Sequence, residues 1–172
     1  MAVRIREAIL ADAEAIATVH MQSWQAAYRG QLPDEYLDGL TVDDRLSQHQ
    51  WALEHPRHDW RVWVADEGRR VLGFVVTGPS EDADADPGTA EPYAIYLEPG
   101  SYSTGVGRRL FAHAVGDLRE RGFRTATLWV LESNERARRF YEVAGWKLDG
   151  ATTTERIDCL NYPTVRYRAN LG

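Results

Sequence analysis

Two short stretches of the sequence hold residues whose types and spacing could do chemistry. The first is Ile95-Tyr96-Leu97-Glu98-Pro99-Gly100-Ser101-Tyr102-Ser103-Thr104-Gly105-Val106-Gly107-Arg108-Arg109, which reads as an apolar strand, a glycine-bearing turn and the start of a helix. Such a turn aims free backbone N–H groups and the positive end of the helix dipole at one spot, the arrangement that binds phosphate. Gly105 and Gly107 would let the backbone approach a ligand, and Arg108 and Arg109 add positive charge beside it. Spacing excludes two other phosphate signatures. A dinucleotide fingerprint needs a third glycine where Leu110 stands, and a nucleotide-triphosphate loop needs Gly-Lys-Ser/Thr, which is absent. By themselves, though, Gly105 and Gly107 are equally the cap and packing residues of an ordinary helix.

The second stretch is Leu128-Trp129-Val130-Leu131-Glu132-Ser133-Asn134, followed by Glu135-Arg136-Ala137-Arg138-Arg139-Phe140-Tyr141-Glu142-Val143-Ala144-Gly145-Trp146. Asn134 stands where a strand gives way to a helix, and Tyr141, seven residues on, shares its face. An amide and a phenol are thereby aligned. Taken singly, Asn134 is an N-cap and Tyr141 a half-buried core aromatic.

The elements that must position these residues follow from periodicity. Met1 to Arg6 reads as a first strand, Val3 to Ala8 alternates apolar and basic residues as an edge-type strand does, and Asp12 can cap a helix running to about Tyr28. Gly30, Pro33 and Gly39 mark a break, after which Thr41 and Asp44 look like a capping box for a helix to about Glu54. Arg61 to Ala65 and Val71 to Thr77 read as a hairpin turning at Asp66-Glu67-Gly68-Arg69. Gly78 to Pro92, rich in carboxylates, reads as a solvated loop, and Tyr93 to Leu97 as a short strand. Gly107 to Arg121 is amphipathic, with Leu110, Phe111, Ala114, Val115 and Leu118 on its buried side. Thr125 to Leu131 is a buried strand, Asn134 to Val143 a short helix, and Trp146 to Leu148 and Val165 to Ala169 are final strands. The order is β-α-α-β-β-β-α-β-α-β-β, a mixed α/β (α+β) sheet.

The 172 residues suit one domain spanning 1–172. Hydrophobic residues make up 44% and charged residues 27%, a globular composition with no apolar run able to span a membrane. A net charge of −6 argues against nucleic acid as partner. No secretory signal opens the chain and Cys159 is alone, so a cytoplasmic location is expected. The five histidines lack metal-ligand spacing, so no metal is expected.

Taken together, these stretches resemble the GNAT superfamily of acyl-CoA-dependent N-acyltransferases, over nearly the whole chain. The Asn134 to Trp146 run is the most specific element, and Ser23-Trp24-Gln25-Ala26-Ala27-Tyr28-Arg29-Gly30 resembles one bacterial branch. The family carries Arg or Gln at position 102 and Gly at position 103, so Tyr102 and Ser103 depart from its pattern while Gly105, Val106 and Gly107 fit.

The resemblance implies a mostly antiparallel six- to seven-stranded sheet flanked by about four helices, with acetyl-CoA as co-substrate. Tyr102, Ser103, Thr104, Gly105, Val106, Gly107, Arg108 and Asn134 would bind it, and an N–H near Ile95 or Leu97 would polarise the thioester carbonyl. The amine would attack directly, with Tyr141 as general acid to the thiolate and Glu91 narrowly ahead of Glu98, Glu132 and a water relay as the base. Trp24 and Tyr28 would flank the acceptor, a small-molecule amine or a peptide amine. The implied reaction is acetyl transfer to a primary amine, the alternative a non-catalytic acyl-CoA sensor, and a homodimer is left open.

Overall fold

The computed structural model describes residues 2–68 and 70–172; Met1 and Arg69, named above in the first strand and the hairpin turn, lie outside the described residues. The strands are β1 (Arg4–Glu7), β2 (Arg61–Asp66), β3 (Val71–Pro79), β4 (Thr89–Leu97), β5 (Thr125–Leu131), β6 (Lys147–Ile157) and β7 (Leu160–Asn170). The helices are α1 (Ala13–Ala27), α2 (Asp34–Gly39), α3 (Asp43–Glu54), α4 (Val106–Glu120) and α5 (Glu135–Val143). The strands form one sheet in the order β1-β2-β3-β4-β5-β7-β6. Every neighbouring pair is antiparallel except β4 and β5.

Helices cover both faces because each carries one apolar stripe. On α4, Val106, Leu110, Ala114 and Leu118 recur every fourth residue and are all buried. They pack with Leu72 and Val75 from one half of the sheet and Leu128 and Tyr167 from the other. Burying each large aliphatic stabilises the fold by about 1.5–3 kcal/mol. On the opposite face, α1 sets Ile16 and Val19 against Val64 and Phe74.

Four sequence expectations change. The break at Gly30 to Gly39 contains the short helix α2, begun by Pro33 at its N-cap, so among the described residues five α-helices flank the sheet. Asp12 does not cap α1 through its side chain; its carboxylate accepts instead from Arg6 and from the Ile9 N–H. The last two strands are a long hairpin, 147–157 with 160–170, turning through Asp158 and Cys159.

The acidic segment is also shorter and more ordered than a solvated loop. Strands β3 and β4 reach Pro79 and Thr89, and Asp82 and Asp84 bind Arg166 at 3.0 and 2.7 Å. Asp149 adds a third carboxylate at 2.7 Å, and Arg166 is 5% exposed. A buried guanidinium needs such partners, because isolating its charge from water is costly. The acidic loop is thus a clamp on β7, and these two carboxylates are already engaged.

Candidate functional site

The site begins where the sheet comes apart. Strands β4 and β5 pair only at Thr89 with Thr125 and Ala90 with Ala126, and beyond Ala90 they diverge. The opposite edge of β4 stays paired to β3, and the Glu98 N–H donates to the Leu72 carbonyl at 2.9 Å. In an antiparallel ladder, hydrogen-bonded and non-hydrogen-bonded pairs alternate. Tyr96 therefore spends its backbone groups on β3, whereas Ile95 and Leu97 turn theirs into the gap. Their side chains pack toward α4, while Tyr96 packs toward α1.

The turn after β4 closes one end of this gap. Gly105 has φ +89°, and Ser103 sits in the left-handed region at φ 61°. Side chains with a Cβ are strained there, which gives position 103 its physical reason to prefer glycine. The backbone N–H groups from Ser103 through Arg108 find no acceptor among the described residues. A consecutive run of free amides at a helix N-terminus is an anion cradle. A Cβ on Gly107 would lie 2.7 Å from Leu97 Cδ1, so any larger residue must displace the end of Leu97.

Helix α5 closes the other side. Asn134 Oδ1 accepts from the Ala137 N–H at 3.1 Å, so it is the cap the sequence suggested. Its amide also lies near the Tyr28 hydroxyl without closing a hydrogen bond of ordinary geometry. Tyr141 is buried, 8% exposed, and none of the side-chain hydrogen bonds among the described residues engages its hydroxyl. Burial, followed by the nearby Tyr96, holds the Tyr141 phenol well above the usual tyrosine value. Tyr28 is raised for the same first reason.

The result is a cavity of about 450 Å³. It is lined by Tyr28, Ile95, Leu97, Tyr102, Ser103, Gly105, Gly107, Arg108, Asn134 and Tyr141, all singled out in the sequence. Thr104 turns its hydroxyl to the Ser101 carbonyl at 2.7 Å and Val106 packs in the core, so these two offer only backbone. Glu91 does not reach the cavity wall. It is buried beside Ser80 Oγ at 3.3 Å, and burial with the charge of Asp82 pushes its carboxyl up to about 7. Trp24 and Tyr28 do not sandwich a space between them, since their rings meet edge-on at 5.0 Å.

Sequence reasoning missed Arg136, whose guanidinium lies 3.6 Å from the centre of the Tyr102 ring. It borders both this cavity and a second one, of about 490 Å³, between α4 and α5. Arg108, Arg119 and Arg139 join it there, and among the described residues none of the four has a carboxylate partner. Arg136 and Arg139 were visible after Asn134 in the sequence; that they face Arg108 and Arg119 along α4 needed the fold. A third cavity, of about 510 Å³, lies across Tyr96 and includes Trp24 in its wall.

Comparison with known proteins places these features in context. Residues 21–146 match the acetyltransferase (GNAT) family. A probable N-acetyltransferase of Mycobacterium tuberculosis is 29% identical over 167 residues, covering 96% of this chain and 92% of the relative. An uncharacterized N-acetyltransferase of Bacillus subtilis is 36% identical over 135 residues, 77% of this chain and 73% of its own. The crystal structure of PaiA N-acetyltransferase from Thermoplasma acidophilum, in complex with coenzyme A, shares the fold with a TM-score of 0.76 at 21% identity, over 99% of both chains.

Proposed function

The chain belongs to the acetyltransferase (GNAT) family and is an acyltransferase, and on that premise we propose that it transfers the acetyl group of acetyl-CoA directly to a small primary amine. The observation that carries this reading is the parting of β4 from β5. It leaves the Ile95 and Leu97 backbone groups facing a cavity that also holds Asn134 and Tyr141.

The residues present fit the coenzyme. The unpartnered amides from Ser103 to Arg108 suit a pyrophosphate, and the four arginines between α4 and α5 suit further phosphate. Acetyl-CoA supplies an activated thioester. The N–H of Ile95 or Leu97 donates to the carbonyl oxygen as it gains charge, an interaction worth a few kcal/mol in acyl transfer. Tyr141 keeps its proton at neutral pH because burial disfavours the phenolate, so it can donate to the departing sulfur. No side-chain nucleophile is required when the amine attacks a positioned thioester. Cys159 sits in the exposed β6–β7 turn, away from the cavity.

The test is a thermal-shift titration with acetyl-CoA followed by a thiol-release assay over a panel of amines. Coenzyme at about 100 times its Kd stabilises the fold by roughly 2.7 kcal/mol, which raises Tm by several degrees. Binding with thiol release supports the enzyme; binding without release to any amine supports a sensor; absence of binding overturns both.

A further inference from the structure

The cavity across Tyr96 from the coenzyme site has a composition that selects its occupant. Its wall is aromatic, contributed by Trp24, Tyr36, Trp60, Phe74, Tyr93 and Tyr96. A bulge in β4 at Tyr93 helps to build it: Val76 pairs with Ala94 but Thr77 with Pro92, so Tyr93 is the unpaired extra residue. Its ring stacks on Trp60 at 4.4 Å, and its hydroxyl is fixed by donating to the Pro79 carbonyl at 2.6 Å.

Four charged side chains border this cavity: Arg156 and Asp158 at the exposed end of the β6–β7 hairpin, and the half-buried Arg45 and the more exposed Glu155, which stand against its aromatic wall without ion-pair partners among the described residues. Arg45 projects from α3 with its guanidinium 5.1 Å from the centre of the Trp24 ring, and no carboxylate among the described residues lies within 4 Å of it. Glu155 projects from β6 on the sheet face that also carries Ile157, which packs with Trp24, Tyr28 and Leu37. Among the described residues Glu155 has no cation partner either. Burial is the main cause that raises the Tyr96 phenol, and both charges act on it as well: Glu155 raises it and Arg45 lowers it. Glu155 also influences Tyr28, a wall residue of the coenzyme cavity. Glu155 thus stands at the end nearer the reacting centre, and Arg45 on the α3 side.

The remaining polar groups on the Arg45 side carry no charge. His20 Nδ1 and His49 Nε2 are 3.0 Å apart, and His20 stacks on Tyr96 at 4.7 Å. Burial first, then the Arg45 charge, brings His20 down to about 3 and His49 down to about 4, so both imidazoles are neutral at pH 7. Arg45 is therefore the fixed charge on that side, and it calls for an anion from the ligand.

We infer that the acceptor is a zwitterionic amine with an aromatic or large apolar body, an amino-acid-like molecule whose carboxylate binds Arg45 and whose ammonium binds Glu155. A polyamine or a simple amine would leave Arg45 unanswered in a partly desolvated cavity. During transfer the nitrogen loses two protons as its bond to the acetyl carbon forms and the C–S bond breaks. One goes to Glu155, and the other replaces the phenolic proton that Tyr141 gives to the sulfur. The inference rests on the acetyl-transfer reading above, but its binding test does not.

That test uses the intrinsic fluorescence of Trp24 and Trp60, with the full chain free of coenzyme, titrated with phenylalanine, phenethylamine and 3-phenylpropionate. Phenylalanine should bind at least tenfold more tightly than either truncated compound. Arg45→Gln should reduce phenylalanine to the affinity of phenethylamine, and Glu155→Gln should reduce it to that of 3-phenylpropionate, a crossover that a general folding defect cannot produce. Either truncated compound binding as tightly as phenylalanine, or both variants weakening all three ligands alike, overturns the acceptor class. Failure of acetyl-CoA to bind in the thermal-shift titration would overturn acetyl transfer and leave this result standing.

Discussion

Replacing Gly107 by alanine asks whether the closeness of α4 to β4 is part of the coenzyme site. The added Cβ would lie 2.7 Å from Leu97 Cδ1 and 3.7 Å from Leu97 Cγ and Phe140 Cε2. Ordinary carbon contacts are about 3.5–4.0 Å, so the end of Leu97 must move by roughly 1 Å. Overpacking of this kind costs about 1–3 kcal/mol, and alanine returns about 1 kcal/mol of helix propensity. The net loss lies between nothing and about 2 kcal/mol, or at most about 8 °C in Tm for a chain this size. Leu97 lines the cavity and carries one of the free N–H groups, so its displacement should weaken acetyl-CoA binding about tenfold, equivalent to roughly 1.4 kcal/mol. Gly105→Ala is the contrast, because its Cβ meets nothing within 4 Å and only the backbone at φ +89° is strained, by about 1–2 kcal/mol. Calorimetric titration with CoA alongside thermal melts separates the two. A Gly107→Ala variant that binds CoA with unchanged Kd would refute the argument that this contact sets the coenzyme site.

The remaining predictions concern charge. Glu91 titrates near 7 when folded and near 4.5 when unfolded, so the folded state holds the extra proton between these values and its advantage is lost as pH rises through 7. Glu91→Gln should therefore raise stability at pH 8 relative to pH 5, by at most about 3 kcal/mol, measured as the pH dependence of urea unfolding. A gain that is the same at both pH values would show that Glu91 is not held protonated by burial. Arg166→Gln leaves Asp82, Asp84 and Asp149 without their shared cation and should cost about 3–5 kcal/mol in the same unfolding assay. A loss below 1 kcal/mol would mean that the clamp is solvent-screened.

Much of the fold was legible because its stripes are strongly periodic: α4 buries every fourth residue, and β5 was bounded at Thr125 and Leu131 from its β-branched run. The β6–β7 hairpin was read short because its middle, Thr152 to Arg156, is exposed and polar and carries no alternation. Helix α2 was hidden by Pro33 and Gly39, which punctuate a loop as readily as a single helical turn. The cavity wall was legible from local spacing, since Asn134 caps the helix that carries Tyr141 and the glycines lie in one turn. Contacts between distant segments were not legible. Arg136 over Tyr102, Arg166 among three aspartates, and Arg45 across from Glu155 each join parts of the chain that only the sheet order brings together.

The central claim is that the parted β4–β5 gap is a catalytic site in which the Tyr141 phenol protonates the leaving sulfur. Single-turnover transfer from acetyl-CoA by Tyr141→Phe, with CoA affinity measured on the same preparation, tests it most directly. A positioned general acid contributes about 100-fold or more to rate. The account predicts a loss of that size in turnover with Kd for CoA within about twofold of the parent, because phenylalanine keeps the buried ring and removes only the hydroxyl. Turnover equal to the parent enzyme at unchanged affinity would contradict it.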